Sequence, residues 1–204
     1  MSTISVGRPR GSYAKSAGRR REILRAGLDV FAAHGYRSSS IREIAARVGM
    51  SQAGVLHYFS SKAELLYAVL ELRDDRNHDR MDFSTDRVGI DTLRSLIELA
   101  ASNQRSRGLV ELHCVLAAEA TSPDHPAHEY FIKRYERVVG YTTASLEAMA
   151  ERGQLKPGVL PAAAARNLIA LMDGLQVQWL LTDEGFDMTE PLKTYIQPLL
   201  TIDL

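Results

Sequence analysis

Three serine-headed helix starts follow one another in quick succession, at Ser40, Ser51 and Ser61. Glu43 stands three residues after Ser40 and Glu64 three after Ser61, the capping-box spacing in which the hydroxyl takes a backbone N–H and the carboxylate returns the contact. Starts this close leave room only for two-turn helices, and Gly49 supplies the stop between the first two. One short helix carries the stripe Ile41, Ile44, Ala45 and Val48. The next, from Gln52 to about Tyr58, offers Val55, Leu56 and Phe59 as its inward residues. Upstream, Ile23, Gly27, Val30, Phe31 and His34 fall at helical spacing from Arg19, ending at Gly35. Two short helices joined by a tight glycine turn, closed by a longer one, have the layout of a helix-turn-helix. This packing leaves Gln52, Ala53, Gly54, His57 and Tyr58 facing outward.

Their chemistry suits a DNA groove. Glutamine pairs bidentately with an adenine edge, alanine meets a thymine methyl, and glycine permits close approach. The hydroxyls and imidazole of Ser51, His57 and Tyr58 can donate to phosphates. The charge distribution agrees. Formal net charge is zero, yet residues 1 to 62 hold 11 Lys and Arg against 3 Asp and Glu, and the remainder holds 14 against 22. A basic segment set against an acidic remainder points to a polyanionic partner for the basic end alone. Residues 1 to 18 read as a mobile basic arm, in which Gly7-Arg8-Pro9-Arg10-Gly11 matches the core of an AT-hook, with Arg8 and Arg10 in the minor groove.

Beyond about residue 74 only helical periodicity is present, over about 61–79, 91–104, 107–121, 127–152, 161–182 and 188–201. The expected fold is all-α, with about nine helices: an arm (1–18), a helix-turn-helix domain (19–62) and a larger helical domain (63–204). The segment Ala163 to Leu181 is apolar on more than one face. Leu168, Leu171, Leu175 and Trp179 form one stripe, which either a protomer core or a twin subunit would bury.

Taken in order, Ile23-Leu24-Arg25-Ala26, Val30 to Tyr36, Ile44 to Ser51 and Tyr58 to Leu66 resemble the N-terminal signature of the TetR family of transcriptional repressors. The resemblance implies a homodimer on a palindromic double-stranded operator, released by a small-molecule effector, with the third helix in the major groove. It places Ser40, Arg42 and Lys62 on phosphates, and Gln52, Ala53, Gly54, His57 and Tyr58 on bases or backbone. It also assigns dimerisation to the last two long helices, hence Leu168, Leu171, Leu175 and Trp179 to the interface. Within the larger domain it implies an effector pocket, for which Asn103, His113, Tyr141, Gln176 and Trp179 are the polar or aromatic candidates in apolar helices. Family members often carry tyrosine where this chain has Leu56, and histidine where it has Tyr58.

Rival classes leave weaker traces. The single Cys114 allows no internal disulfide, and with the charge-broken N-terminus it suggests a reducing cytoplasm. No stretch reaches the roughly 20 apolar residues of a membrane span. No phosphate loop, dinucleotide fingerprint or nucleophile elbow is present, so neither an enzyme nor a cofactor is expected. His125 and His128, with Glu119 or Glu129, have metal-ligand spacing but are interrupted by prolines; no metal is expected there. The remaining alternatives are a helical adaptor that binds nucleic acid through charge alone and, ranked below it, a metal-binding helical protein.

Overall fold

A computed structural model describes the backbone of residues 10–78, 88–183 and 185–204, with side chains over all of these except 10–15 and 73–78. Its helices are α1 (Arg10–Ser38), α2 (Ile41–Arg47), α3 (Gln52–Tyr58), α4 (Lys62–His78), α5 (Ile90–Asn103), α6 (Arg107–Glu119), α7 (His128–Glu151), α8 (Pro161–Leu180) and α9 (Thr189–Ile196). A 3₁₀ turn at Gln197–Leu199 follows, and among the described residues β pairing is confined to one bridge, between Leu155 and Leu200. The all-α expectation is met.

Helix α1 departs from the expected boundary. It begins at Arg10, so residues 10–18 extend the helix where an arm was expected, and Arg10 opens a helix instead of lying in an extended minor-groove segment. Arg8 falls outside the described residues. At the other end Gly35, at φ 70°, interrupts the helical backbone where a stop was expected.

All three serines cap. Glu43 N donates to Ser40 Oγ at 3.2 Å, Gly54 N to Ser51 Oγ at 3.0 Å and Glu64 N to Ser61 Oγ at 3.0 Å. The reciprocal contacts differ from the expected boxes. The Glu43 carboxylate turns to His34 Nε2, 3.3 Å away, and Glu64 Oε2 accepts from Ser60 N at 2.6 Å, one residue before the cap. Before α9, Asp187 Oδ1 accepts from both Thr189 N and Thr189 Oγ1, forming a side-chain turn.

Two cores hold these elements. The first buries Ile23, Val30 and Phe31 of α1, Ile44 of α2, Val55 of α3, Phe59, and Leu65, Leu66 and Val69 of α4. It also takes in Leu112 and Leu116 of α6 and Phe131 of α7, so it runs through the division expected after residue 62. That explains why Leu24 and Leu28, off the expected stripe, are buried as well: α1 is covered by the helix-turn-helix on one side and by α6 on the other. Gly27 lets α4 come close, since a Cβ there would stand 3.3 Å from Val69 Cγ2.

The second core joins α5 to α9 around Leu93, Leu96, Leu146, Met149, Leu168, Leu175, Leu192 and Ile196. Leu168, Leu175 and Trp179 are therefore interior residues of the protomer, with Leu171 half-buried against them, and not the dimer-facing stripe they were expected to be. The exposed face of α8 is the opposite one: Ala163, Asn167, Ala170, Val177 and Gln178, continued by Leu181 just after the helix. Apolar residues occur on both faces, so periodicity alone could not say which the protomer keeps.

Gly35 gives this packing a sharp test. Gly35, at φ 70° and ψ −179°, occupies a backbone region that essentially only glycine enters, and an added Cβ would also collide with the Glu119 carboxylate. Gly35→Ala should therefore lower unfolding free energy by about 1–3 kcal/mol in urea titration. Gly140→Ala, in helix α7 with no heavy atom within 4 Å of the added carbon, should be neutral or stabilising.

Candidate nucleic-acid interface and effector cleft

Helix α3 presents two different faces. Val55 is fully buried, as is Phe59 immediately after the helix, and this pair anchors α3 on α1 and α2. One face over, Gln52, Ala53, Leu56 and His57 are exposed side by side. Gln52 precedes Leu56 by four residues and Ala53 precedes His57 by four, the spacing that aligns side chains on a helix. Leu56, expected inside, is 40% exposed. It cannot share the inward direction of Val55 because neighbouring residues diverge by about 100° around a helix. That angular offset from Val55 was the available signal.

Around this strip the expected contacts are arranged unequally. Ser51 is exposed while its Oγ accepts from Gly54 N, so its hydroxyl hydrogen can still reach a phosphate. Gly54 is half-buried, its Cα side facing Met50 Cε, which an added Cβ would approach to 3.0 Å. Tyr58 is half-buried against the first core and meets the His57 ring edge-on at 5.7 Å. Arg42 is exposed at the start of α2, and Ser40 is half-buried as its cap. Lys62 is the most constrained. Its Nζ donates to Tyr36 O at 2.7 Å and Ser39 O at 2.9 Å, and lies 4.2 Å from the centroid of the Tyr36 ring. Desolvation lowers its pKa, with Glu119 pulling the other way. An ammonium has three hydrogens, so one is left for a phosphate.

A cleft of about 740 Å³ opens between α6, α7 and α8. Ala117, Ala120, Phe131, Ile132, Val139, Ile169 and Ala170 give it apolar walls, and Tyr135, Glu136, Arg166 and Asp173 add polar groups. Asp173 is the best-anchored of these: Oδ1 faces His113 Nε2 at 3.2 Å, and Tyr135 donates its hydroxyl to Oδ2 at 2.8 Å. Burial opposes ionisation of Asp173, but the hydrogen bond and charge of His113, with the Tyr135 hydroxyl, outweigh it and hold the pKa below the usual carboxylate value.

None of the five expected pocket residues lines this cleft. His113 supports it from behind through Asp173. Asn103 and Gln176 instead line a cavity of about 10 Å³ with Met172 and Leu175, room for a single water. Trp179 is buried in the second core beneath the Arg107 guanidinium, 5.5 Å away, and Tyr141 is half-buried elsewhere on α7. The overlooked signal was Asp173, a lone carboxylate inside the most apolar helix of the chain. The histidines considered as metal ligands have other tasks: His125 Nδ1 accepts from Ala127 N at 3.1 Å, and His128 Nδ1 donates to Ala120 O at 2.7 Å. Among the described residues no three His, Cys, Asp or Glu converge as a metal site would require, and no helix is long and apolar enough to cross a membrane.

Known proteins share this fold. Residues 23–69 match the family model of bacterial regulatory proteins of the tetR family, and residues 89–201 match that of the BetI-type transcriptional repressor C-terminal domain. The regulator BetI of Pseudomonas aeruginosa is 31% identical over 178 residues, 85% of this chain and 87% of that one. The regulator AcrR of Shigella flexneri is 23% identical over 195 residues, 91% and 89% of the two chains. Among solved structures, NalD, the secondary repressor of a multidrug efflux pump in Pseudomonas aeruginosa, superposes with a TM-score of 0.69 at 22% identity, covering 92% of this chain and 98% of that one. A SmeT–triclosan complex gives 0.72 at 22% identity over 88% of each chain. With the second family model alone spanning more than half its length, and a helix-turn-helix at the matching place, the chain belongs to the TetR family of transcriptional regulators.

Proposed function

We propose that the protein is a cytoplasmic, effector-released repressor that binds a palindromic operator as a homodimer through α3. The observation that carries this reading is the strip Gln52, Ala53, Leu56 and His57, exposed on a two-turn helix whose opposite side is locked by Val55 and Phe59. The strip sits in the basic part of the chain, so the long-range field draws a phosphate backbone to the end that can read it. Gln52 supplies bidentate readout of adenine, while Ala53 and Leu56 offer apolar contact to thymine methyls. Ser51, His57, Tyr58, Arg42 and the third hydrogen of Lys62 hold phosphates and set the register.

Two copies of this strip read an inverted repeat when a twofold interface fixes their separation. The open face of α8 suits that interface, because Ala163, Ala170 and Gly174 let helices approach closely and Val177 and Leu181 provide apolar area. The α6–α8 cleft is the effector site. Its volume fits a small organic molecule, its walls are largely apolar, and the ionised Asp173 gives one fixed polar anchor. The SmeT relative is named in complex with triclosan, which supports a small-molecule site in this fold.

Selection of bound sequences from a random duplex pool, with the mass of the free protein measured alongside, tests the reading. An enriched inverted repeat and a dimer mass are expected. Binding without sequence preference and with a steep salt slope would instead indicate an adaptor acting through charge. On the enriched duplex, Gln52→Ala and His57→Ala should each weaken binding by about 1–3 kcal/mol where they contact a base, while the dimer mass is kept. Val177→Asp places a charge on a face that is 46% exposed in the protomer. It should shift sedimentation toward monomer while helical circular dichroism persists; an unchanged dimer would move the interface off α8.

A further inference from the structure

The last residue of α6, Glu119, reaches across to the helix-turn-helix. Its Oε2 accepts from Tyr36 N at 2.6 Å, and its Oε1 lies 3.4 Å from Arg37 N. Gly35 makes this possible, since its positive φ turns the two following N–H groups toward α6 and its missing side chain leaves the carboxylate its space. On the other side of the same connector, Lys62 Nζ holds Tyr36 O and Ser39 O, and Ser39 Oγ donates to Tyr36 O at 2.8 Å. The connector is therefore gripped from both sides immediately before Ser40, the cap of α2. A further set of contacts braces it: Arg37 donates to Ser122 Oγ at 3.0 Å and Asp124 Oδ1 at 2.9 Å, the His125 ring packs edge-on to Tyr36 at 5.1 Å, and Tyr67 donates to Pro126 O.

The same end of α6 forms part of the cleft. Ala117, Ala120 and Thr121 line it, and His128, also a lining residue, is tied to Ala120 O. Glu119 thus stands between two surfaces, with cleft-lining residues on either side of it in sequence and the connector against its carboxylate. We propose that Glu119 is the positioning residue that sets the angle of α2 and α3 against the effector domain, and that displacement of the α6 end by a cleft occupant reaches the recognition helix through it. Glu119 touches no DNA. It acts through Tyr36 and Arg37, whose backbone carries the constraint into Ser39, Ser40 and α2. The inference rests on the operator-binding reading above, and adds to it the residue through which the two sites are coupled.

The test uses the full chain with Glu119→Asp, Glu119→Gln and Glu119→Ala, and two readouts: hydrogen exchange at the Tyr36 and Arg37 amides, and affinity for the duplex enriched by the unaltered protein. The two should move together. Glu119→Ala is expected to speed exchange at both amides and weaken operator binding about tenfold, within the range of couplings between distant sites. Glu119→Gln keeps an acceptor oxygen without the charge, and should fall between Ala and the unaltered protein. Arg37→Ala, which severs only the bracing contacts to Ser122 and Asp124, should have the smaller effect. Exchange that rises across the series while operator affinity stays at the unaltered value overturns the inference, leaving Glu119 a structural tie with no bearing on α3. Failure of the unaltered chain to enrich any duplex removes the operator reading itself, and is distinct from that result.

Discussion

An isolated two-turn helix is unstable in water, because the cost of nucleating it is not recovered over so few residues. Helices α2 and α3 therefore depend for their relative angle on tertiary contacts, above all on burial of Ile44, Ala45, Val55 and Phe59 in the core they share with α1 and α4. Helix α1 in turn is covered on its far side by Leu112 and Leu116 of α6. At roughly 1.5–3 kcal/mol for each large apolar side chain fully buried, the α6 leucines alone contribute on the scale of a small domain's net stability. The reading head and the effector half are thus one cooperative unit near α1. A rearrangement of α6 cannot leave the helix-turn-helix untouched, and a recognition helix mounted this way is positioned as firmly as the core beneath it.

What the sequence made legible follows from which signals are local. Ser40, Ser51 and Ser61 were readable as caps because a cap is decided within four residues, and all three hydroxyls accept the expected N–H. Their glutamates were less readable. A carboxylate chooses among all nearby donors, and Glu43 finds His34, a partner brought by tertiary packing. The same limit governed α8, where a helix apolar on two faces offers no local reason to prefer either as interior, and Leu168, Leu175 and Trp179 were assigned outward though the protomer buries them. Leu56 shows the opposite error. Hydrophobicity suggested burial, whereas its angle on α3 places it in solvent beside Gln52 and Ala53.

The cleft was least legible because its members come from three helices that the sequence does not pair. Polar residues in apolar helices were the right kind of signal, but most of them serve other ends. His113 does so indirectly: it sits 3% exposed behind the cleft and spends its Nε2 on Asp173. The carboxylate it supports was the informative residue. Desolvating a carboxyl is costly unless it is paired, and the half-buried Asp173 has His113 and Tyr135 beside it, whose hydrogen bonds favour its ionised form. A cavity wall carrying such an arrangement has a polar point of attachment that apolar packing alone would not require.

The magnitudes make a short route between cleft and DNA sufficient. A ligand shifts an equilibrium only by its differential affinity for two states, and tenfold weaker operator binding corresponds to about 1.4 kcal/mol. A hydrogen bond to a charged group contributes about 1.5–3 kcal/mol, so loss of a single charge-assisted contact is already of the required size. The bond from Tyr36 N to Glu119 is of that kind and stands where the end of α6 meets the connector into α2. No large refolding of the effector half is needed. On the proposed coupling, a displacement of the α6 end that lengthens that bond, applied by twofold symmetry to both copies of α3, would be enough to spoil the fit to two half-sites at once.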